Sequence, residues 1–135
     1  MIIRNIILLL FSAISVCFAQ QEAKTSDERD FVFGEDRPFK ECHASTLTRL
    51  EDGSYLIAWF GGTKEKHPDV GIWLSKGEEG RWSPPRRVAK IRNDAHWNPV
   101  LFNDGKGTVY LFFKVGKEIP SWETWVMASK DGGTT

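Results

Sequence analysis

The sequence predicts an all-β fold, part of a β-propeller of repeated antiparallel sheets. Three observations carry that expectation. The apolar runs are short and are separated by Gly, Asp and Asn turns, the punctuation of strands. No segment carries apolar residues at helical spacing over the length a helix needs. One set of strand, glycine turn, strand, loop and strand occurs twice. Ser75 and Ser129 each close a Trp-containing run and lie 54 residues apart. A period of that size, with about four strands per unit, suits a propeller blade. The 135 residues are therefore expected to supply about two blades, too few to close a ring.

The elements follow in order. Residues 1–19, "MIIRNIILLLFSAISVCFA", carry one positive charge, an uncharged apolar stretch and a small residue before a polar exit. That is the layout of a secretory signal peptide, so the protein is expected to be secreted or periplasmic. The stretch is short and lacks a basic stop-transfer cluster, so no integral membrane segment is expected after cleavage. Cleavage after Ala19 removes Cys17 and leaves Cys42 as the one thiol, expected to be buried and inert. Residues 20–30 read as a polar lead-in. From Phe31 onward the pattern is strand-like.

"HASTLTRL" (43–50) alternates, and "EDGS" (51–54) turns the chain. "YLIAWF" (55–60) is mostly apolar, as in a strand buried on both faces. "GGTKEKHPD" (61–69) is a polar loop, and "VGIWL" (70–74) a third strand. "SKGEEGRW" and "RRVAKI" complete the first unit. "WNPVLF", the turn "NDGKG", "TVYLFFKVG" and "ETWVMAS" repeat the order. The last run ends in "SKDGGTT", a polar turn from which a further strand is expected to return.

Composition excludes several functions. Eighteen basic residues balance eighteen acidic ones, so no nucleic-acid or anionic-membrane surface is expected. Six Trp and nine Phe are too many for a disordered chain. His43, His67 and His96 show no metal-ligand spacing, so neither a metal nor another cofactor is expected.

The terminal turn resembles the Asp-box of sialidases, Ser-x-Asp-x-Gly-x-Thr followed by an aromatic residue. Ser129, Asp131, Gly133 and Thr135 match it. Such a box folds a hairpin through side-chain to backbone hydrogen bonds and does not catalyse. "SKGEEGRW" keeps Ser75 and Trp82 at the same spacing but lacks the Asp, Gly and Thr. "ASTLTRLEDGSYLIAWFGG" is similar to the first blade of sialidase-like propellers, and "WNPVLFNDGKGTVYLFF" to the start of the second. The resemblance spans nearly all of residues 31–135. It implies the N-terminal part of a six-bladed, sialidase-like propeller, and a longer protein that releases terminal sialic acid from glycans.

The resemblance also implies where to look for chemistry. Sialidases hold the substrate carboxylate with three Arg, attack with a Tyr assisted by a Glu, and use an Asp as acid/base. Most of those positions fall in later blades. Asp69 matches the loop that carries the acid/base Asp, and nearby aromatic rings are expected to raise its pKa. His43 stands where the first Arg of the family is expected. A single imidazole bond replaces a bidentate, permanently charged fork. His43 is therefore a candidate carboxylate contact, a general acid/base for a uronic-acid substrate, or a structural residue. Arg37 and Arg49 are candidate replacements for the missing guanidinium, with Arg49 near the far end of its strand. Asp94, His96 and Asn98 are candidates to line the central face, as is Lys114, or to serve as turn residues. Trp122 and Trp125 are candidates to stack on a sugar or to pack the core. The expected partner is a sialylated or other acidic glycan. A different propeller enzyme acting on an acidic sugar, or a non-catalytic carbohydrate-binding propeller, stand as alternatives.

Overall fold

The computed structural model describes residues 30–78 and 80–135. The expected signal peptide (1–19) and lead-in residues 20–29 lie outside the described residues. β1 (Glu41–Arg49), β2 (Tyr55–Gly62) and β3 (Gly71–Glu78) form an antiparallel meander. The outer edge of β3 is shared by β4 (Arg81–Trp82) and β5 (Arg86–Ala89). A second meander joins β6 (His96–Asn103), β7 (Val109–Val115) and β8 (Glu123–Ser129). A short 3-10 turn at Ile119–Ser121, begun near Pro120, precedes β8 and was not expected from sequence. The architecture is two sheets of partial propeller-blade type, with no closed ring among the described residues. Among those residues no helix is long and apolar enough to cross a membrane.

The core lies between the sheets. Leu56, Ala58, Phe60, Ile72 and Leu74 of the first pack with Trp97, Leu101, Leu111 and Phe113 of the second. Burying each of the large side chains contributes roughly 1.5–3 kcal/mol. β2 is buried on both faces, as its apolar run predicts. Its alternate residues Ile57 and Trp59 pack with Phe33 and Phe39 of the preceding segment. Polar ties fix the neighbouring first strands: the Leu101 amide donates to Thr46 Oγ1 at 3.2 Å, and Asn103 Nδ2 donates to the Arg49 carbonyl at 2.8 Å.

The 54-residue repeat is a backbone repeat. β1 slips register between His43 and Thr46, and β6 between Trp97 and Val100. Each bulge holds a left-handed residue, Ala44 at φ 53° and Asn98 at φ 44°. The following turns place Gly53 at φ 88° and Gly107 at φ 89°. The bulge interrupts the alternation expected over 43–50, so β1 is mostly exposed.

The two box positions differ from one another. Ser75 was expected to close its strand, but β3 runs on past it to Glu78 and the residue is fully buried. Residues 77 and 78 pair with β4 instead, because no Asp gathers the backbone there. Ser129 does open a turn. Its Oγ donates to Asp131 Oδ1 at 2.6 Å and accepts the Gly133 amide at 2.8 Å. The Thr134 and Thr135 amides donate to the same carboxyl oxygen at 3.0 and 2.9 Å. The box is not only local, however. Gly133 rests on Leu56 of the first sheet, and Arg86 Nη2 donates to the Gly133 carbonyl. The turn therefore pins one sheet to the other.

The opposite face of the second sheet is apolar and uncovered. Val100, Phe102, Phe112 and Val126 are exposed there, with Phe102, Tyr110 and Phe112 in a row of rings.

Two outcomes are expected. Gly133 sits at φ 81°, and an added Cβ would lie 2.8 Å from Leu56 Cδ1. Gly133→Ala should lower stability by about 2 kcal/mol or more, from the left-handed backbone and the clash together. Gly105→Ala, at φ 66° in open space, should show only the backbone cost, about 1 kcal/mol. Urea unfolding of the two variants measures the difference.

Acid should destabilise the fold in a defined window. Hydrogen bonds from Ser129 and Thr135 hold the Asp131 carboxyl well below its ordinary value. The Thr108 and Lys106 amides depress Asp104, and Ser54 brings Asp52 down to about 2. Folded values below unfolded ones mean stability present above the unfolded pKa and lost as pH falls through the folded one. Urea midpoints should stay level down to about pH 5 and fall from about pH 4 toward 2. Asp131→Asn should flatten that fall.

Candidate functional site

An antiparallel meander returns every second turn to the same end. The β1 and β6 starts, the β2–β3 loop and the β7–β8 connection therefore share one edge, away from the Asp-box. That edge gathers the candidate residues His43, Asp69, Asp94, His96, Asn98 and Trp122.

Asp69 is held by its own loop. The Thr63 amide donates to both carboxyl oxygens, at 3.1 and 3.2 Å, and Thr63 Oγ1 donates to Oδ2 at 2.5 Å. His67 Nδ1 lies 2.8 Å from Oδ1 and 3.3 Å from the Asp69 amide nitrogen. One nitrogen cannot serve both; the shorter contact puts the proton on Nδ1, donated to the carboxylate. Gly62 makes the fit possible, since a Cβ there would lie 2.6 Å from Oδ1. Burial pushes the Asp69 pKa up, but the Thr63 and His67 donors outweigh it and the net shift is downward. The raised pKa expected from nearby rings is thus corrected: donors, not rings, surround the carboxylate.

Lys90 fastens this loop. Its Nζ donates to the carbonyls of Pro68, Arg92 and Asp94, using all three ammonium protons. Burial and the charge of Arg87 lower its pKa. Arg92 continues the tie, with Nε 2.8 Å from Asp94 Oδ2 and Nη1 2.7 Å from Glu123 Oε2. Asp94 is therefore spent on Arg92.

Two sequence candidates lie in the interior. The reading of His96 as a substrate contact on the central face is corrected, since the residue opens β6 and is fully buried. Its Nε2 accepts the Ile91 amide at 2.7 Å, which leaves Nδ1 to donate to the Asp94 carbonyl at 2.8 Å. Both ring nitrogens serve the backbone, and burial lowers the pKa, so the ring is neutral. Trp122, a candidate to stack on a sugar or to pack the core, stacks on buried Trp97, with centroids 5.2 Å apart, and packs against the core.

The remaining candidates stay at the surface. Asn98 is exposed on its bulge. His43 is exposed, with its ring 5.5 Å from that of Phe60. It lines a concavity with Cys42, Ser45 and Trp59, and Asp69 lines a different one. Cys42 is a free, half-buried thiol whose pKa burial raises. Arg49 sits at the opposite sheet end, paired with Tyr55. Lys114 donates to Thr124 across the strands, and Trp125 Nε1 to Glu123.

Asp69 shares its concavity, of about 310 Å³, with Arg37, Lys40, Thr63, Trp73 and Arg87. Arg37 lies 5.9 Å over the Phe33 ring and Arg87 5.8 Å over the Trp73 ring. The structure thus brings Arg37 and Asp69 together. Sequence reasoning missed Lys40, Thr63, Arg87 and Lys90. The run "RRVAK" held one usable signal: on a strand, Arg87 faces away from Arg86 and Val88.

The model of a BNR repeat-like domain matches residues 53–135, more than half of the chain. The chain belongs to that family. BNR repeat-like domains of this propeller type are consistent with carbohydrate-acting enzymes in general. No curated protein and no solved structure matches the chain.

The Lys90 tie has a measurable consequence. Lys90→Met should cost about 1–3 kcal/mol, because three carbonyls lose a charged donor. Hydrogen exchange should quicken in residues 63–69 and 91–95 while β7 stays protected.

Proposed function

We propose that the protein acts as a glycosidase on the acidic sugar of a glycan. A terminal sialic acid is the substrate that the sialidase resemblance brings forward, and a uronic acid is the alternative. One observation supports this reading most: a strand-end carboxylate, Asp69, shares a concavity with the guanidinium of Arg37. Cleaving a glycosidic bond needs a proton for the leaving oxygen. Asp69 is the one acidic residue lining the concavity among the described residues, and a proton reaches it more readily once a substrate carboxylate lies alongside. Like charge raises a carboxylate pKa. Arg37 would meet the substrate carboxylate in place of the Arg that His43 replaces. His43, one concavity away, is left to contact a more distant part of the glycan, together with Asn98.

A second reading has its own support. Asp69 is held as the anion, and among the described residues neither a Tyr nor a second carboxylate lines the concavity. Recognition of an acidic glycan without cleavage fits those facts. A fluorogenic sialoside and a fluorogenic glucuronide separate the two readings. The first reading expects turnover of an acidic substrate, with kcat lowered about 100-fold or more in Asp69→Asn and an unchanged melting curve. Turnover that ignores Asp69→Asn would remove this residue from the mechanism. Binding of the sugars without turnover would establish the second reading.

A further inference from the structure

We propose that the Asp69 concavity is a site for a sugar unit carrying two negative charges, such as a sulfated uronate, in a polyanionic glycan. The inference rests on reading this concavity as glycan-facing, and it deepens that reading by fixing the charge of the ligand.

Three cations line the concavity, from two stretches of chain: Arg37 and Lys40 just ahead of β1, and Arg87 on β5. The one acidic side chain lining it is Asp69, already saturated by Thr63 and His67. Among the described residues, no carboxylate lies within ion-pair distance of Arg37, Lys40 or Arg87. The concavity thus gathers three cations against one carboxylate, an excess of two positive charges in one place. A single carboxylate answers one of them and a doubly charged unit answers both.

The two guanidinium groups are also positioned in advance. Each lies over an aromatic ring, Arg37 on Phe33 and Arg87 on Trp73. Such stacking steadies the planar group and leaves its edge N–H donors free for carboxylate or sulfate oxygens. Less ordering entropy is then lost on binding. The field of Arg87 is felt on its other side too, where it helps depress Lys90.

Calorimetric titration of the whole protein tests the site, with four probes: a sulfated chondroitin disaccharide, its unsulfated counterpart, sialyllactose and neutral lactose. The sulfated disaccharide should bind about tenfold or more tighter than either singly charged sugar, with lactose weakest. Its affinity should fall as salt is added. Arg87→Gln and Lys40→Gln should each weaken it about tenfold. Lys40 is exposed, so its variant keeps the test intact if Arg87→Gln perturbs packing on Trp73. Equal binding of the sulfated and singly charged sugars would overturn the proposal. So would affinity for the sulfated sugar that survives Lys40→Gln unchanged. The glycosidase reading fails separately, by binding of the acidic sugars without turnover. Sialoside turnover together with a sulfated disaccharide that binds no tighter than sialyllactose would sink this inference and leave that reading standing.

Discussion

The contact between the two sheets is the constraint on which the rest depends. Alternate residues of β2 and β3 must meet alternate residues of β6 and β7, and a slip of one residue would turn Leu56, Ala58 and Phe60 outward. Once that face is buried, β1 and β6 lie side by side, and Thr46 and Asn103 can reach across. The edge that gathers Asp69, Asp94 and His43 is then a consequence. The sheets are meanders, and burial fixes which ends coincide. Lys90 and Arg92 work on the same edge, where they join the β2–β3 loop to the inter-sheet segment and to β8.

The Asp-box takes part in this contact from the other end. A turn that served only its own hairpin would need the Asp131 and Ser129 bonds and nothing further. Gly133 and its carbonyl do more, because Leu56 and Arg86 belong to the neighbouring sheet. The first unit lacks the Asp, and there β3 simply runs on into β4. The same position in the repeat is thus solved once by a carboxylate-gathered turn and once by a plain strand pair.

Much of the fold was legible in the sequence. Strand positions followed from apolar runs, and Gly53 and Gly107 marked equivalent turns. The bulges were not legible. Asn98 is a residue type that tolerates the left-handed region, but Ala44 carries no such sign, and only the register shift reveals it. The site was read less well, for a physical reason. A polar letter does not say whom it bonds. His96 looks like a surface imidazole until Ile91 and Asp94 are seen to occupy both nitrogens. Asp69 lies in the polar loop that the sequence showed, yet its environment is set by Thr63, six residues earlier. Arg37 and Arg87 meet only because the chain ahead of β1 crosses the outer face of the first sheet.

If the concavity takes an anionic sugar, its electrostatics would couple binding to protonation. In the free protein the Thr63 and His67 donors favour the Asp69 anion. An arriving anionic ligand would place new negative charge beside the carboxylate and favour the protonated acid. Proton uptake at Asp69 and ligand binding are then linked, each promoting the other. A carboxylate kept ionised while the site is empty, and driven toward its acid form only by an anionic sugar, withholds its proton from neutral glycans. Selectivity for acidic substrates would in that case come from the proton as well as from the clamp.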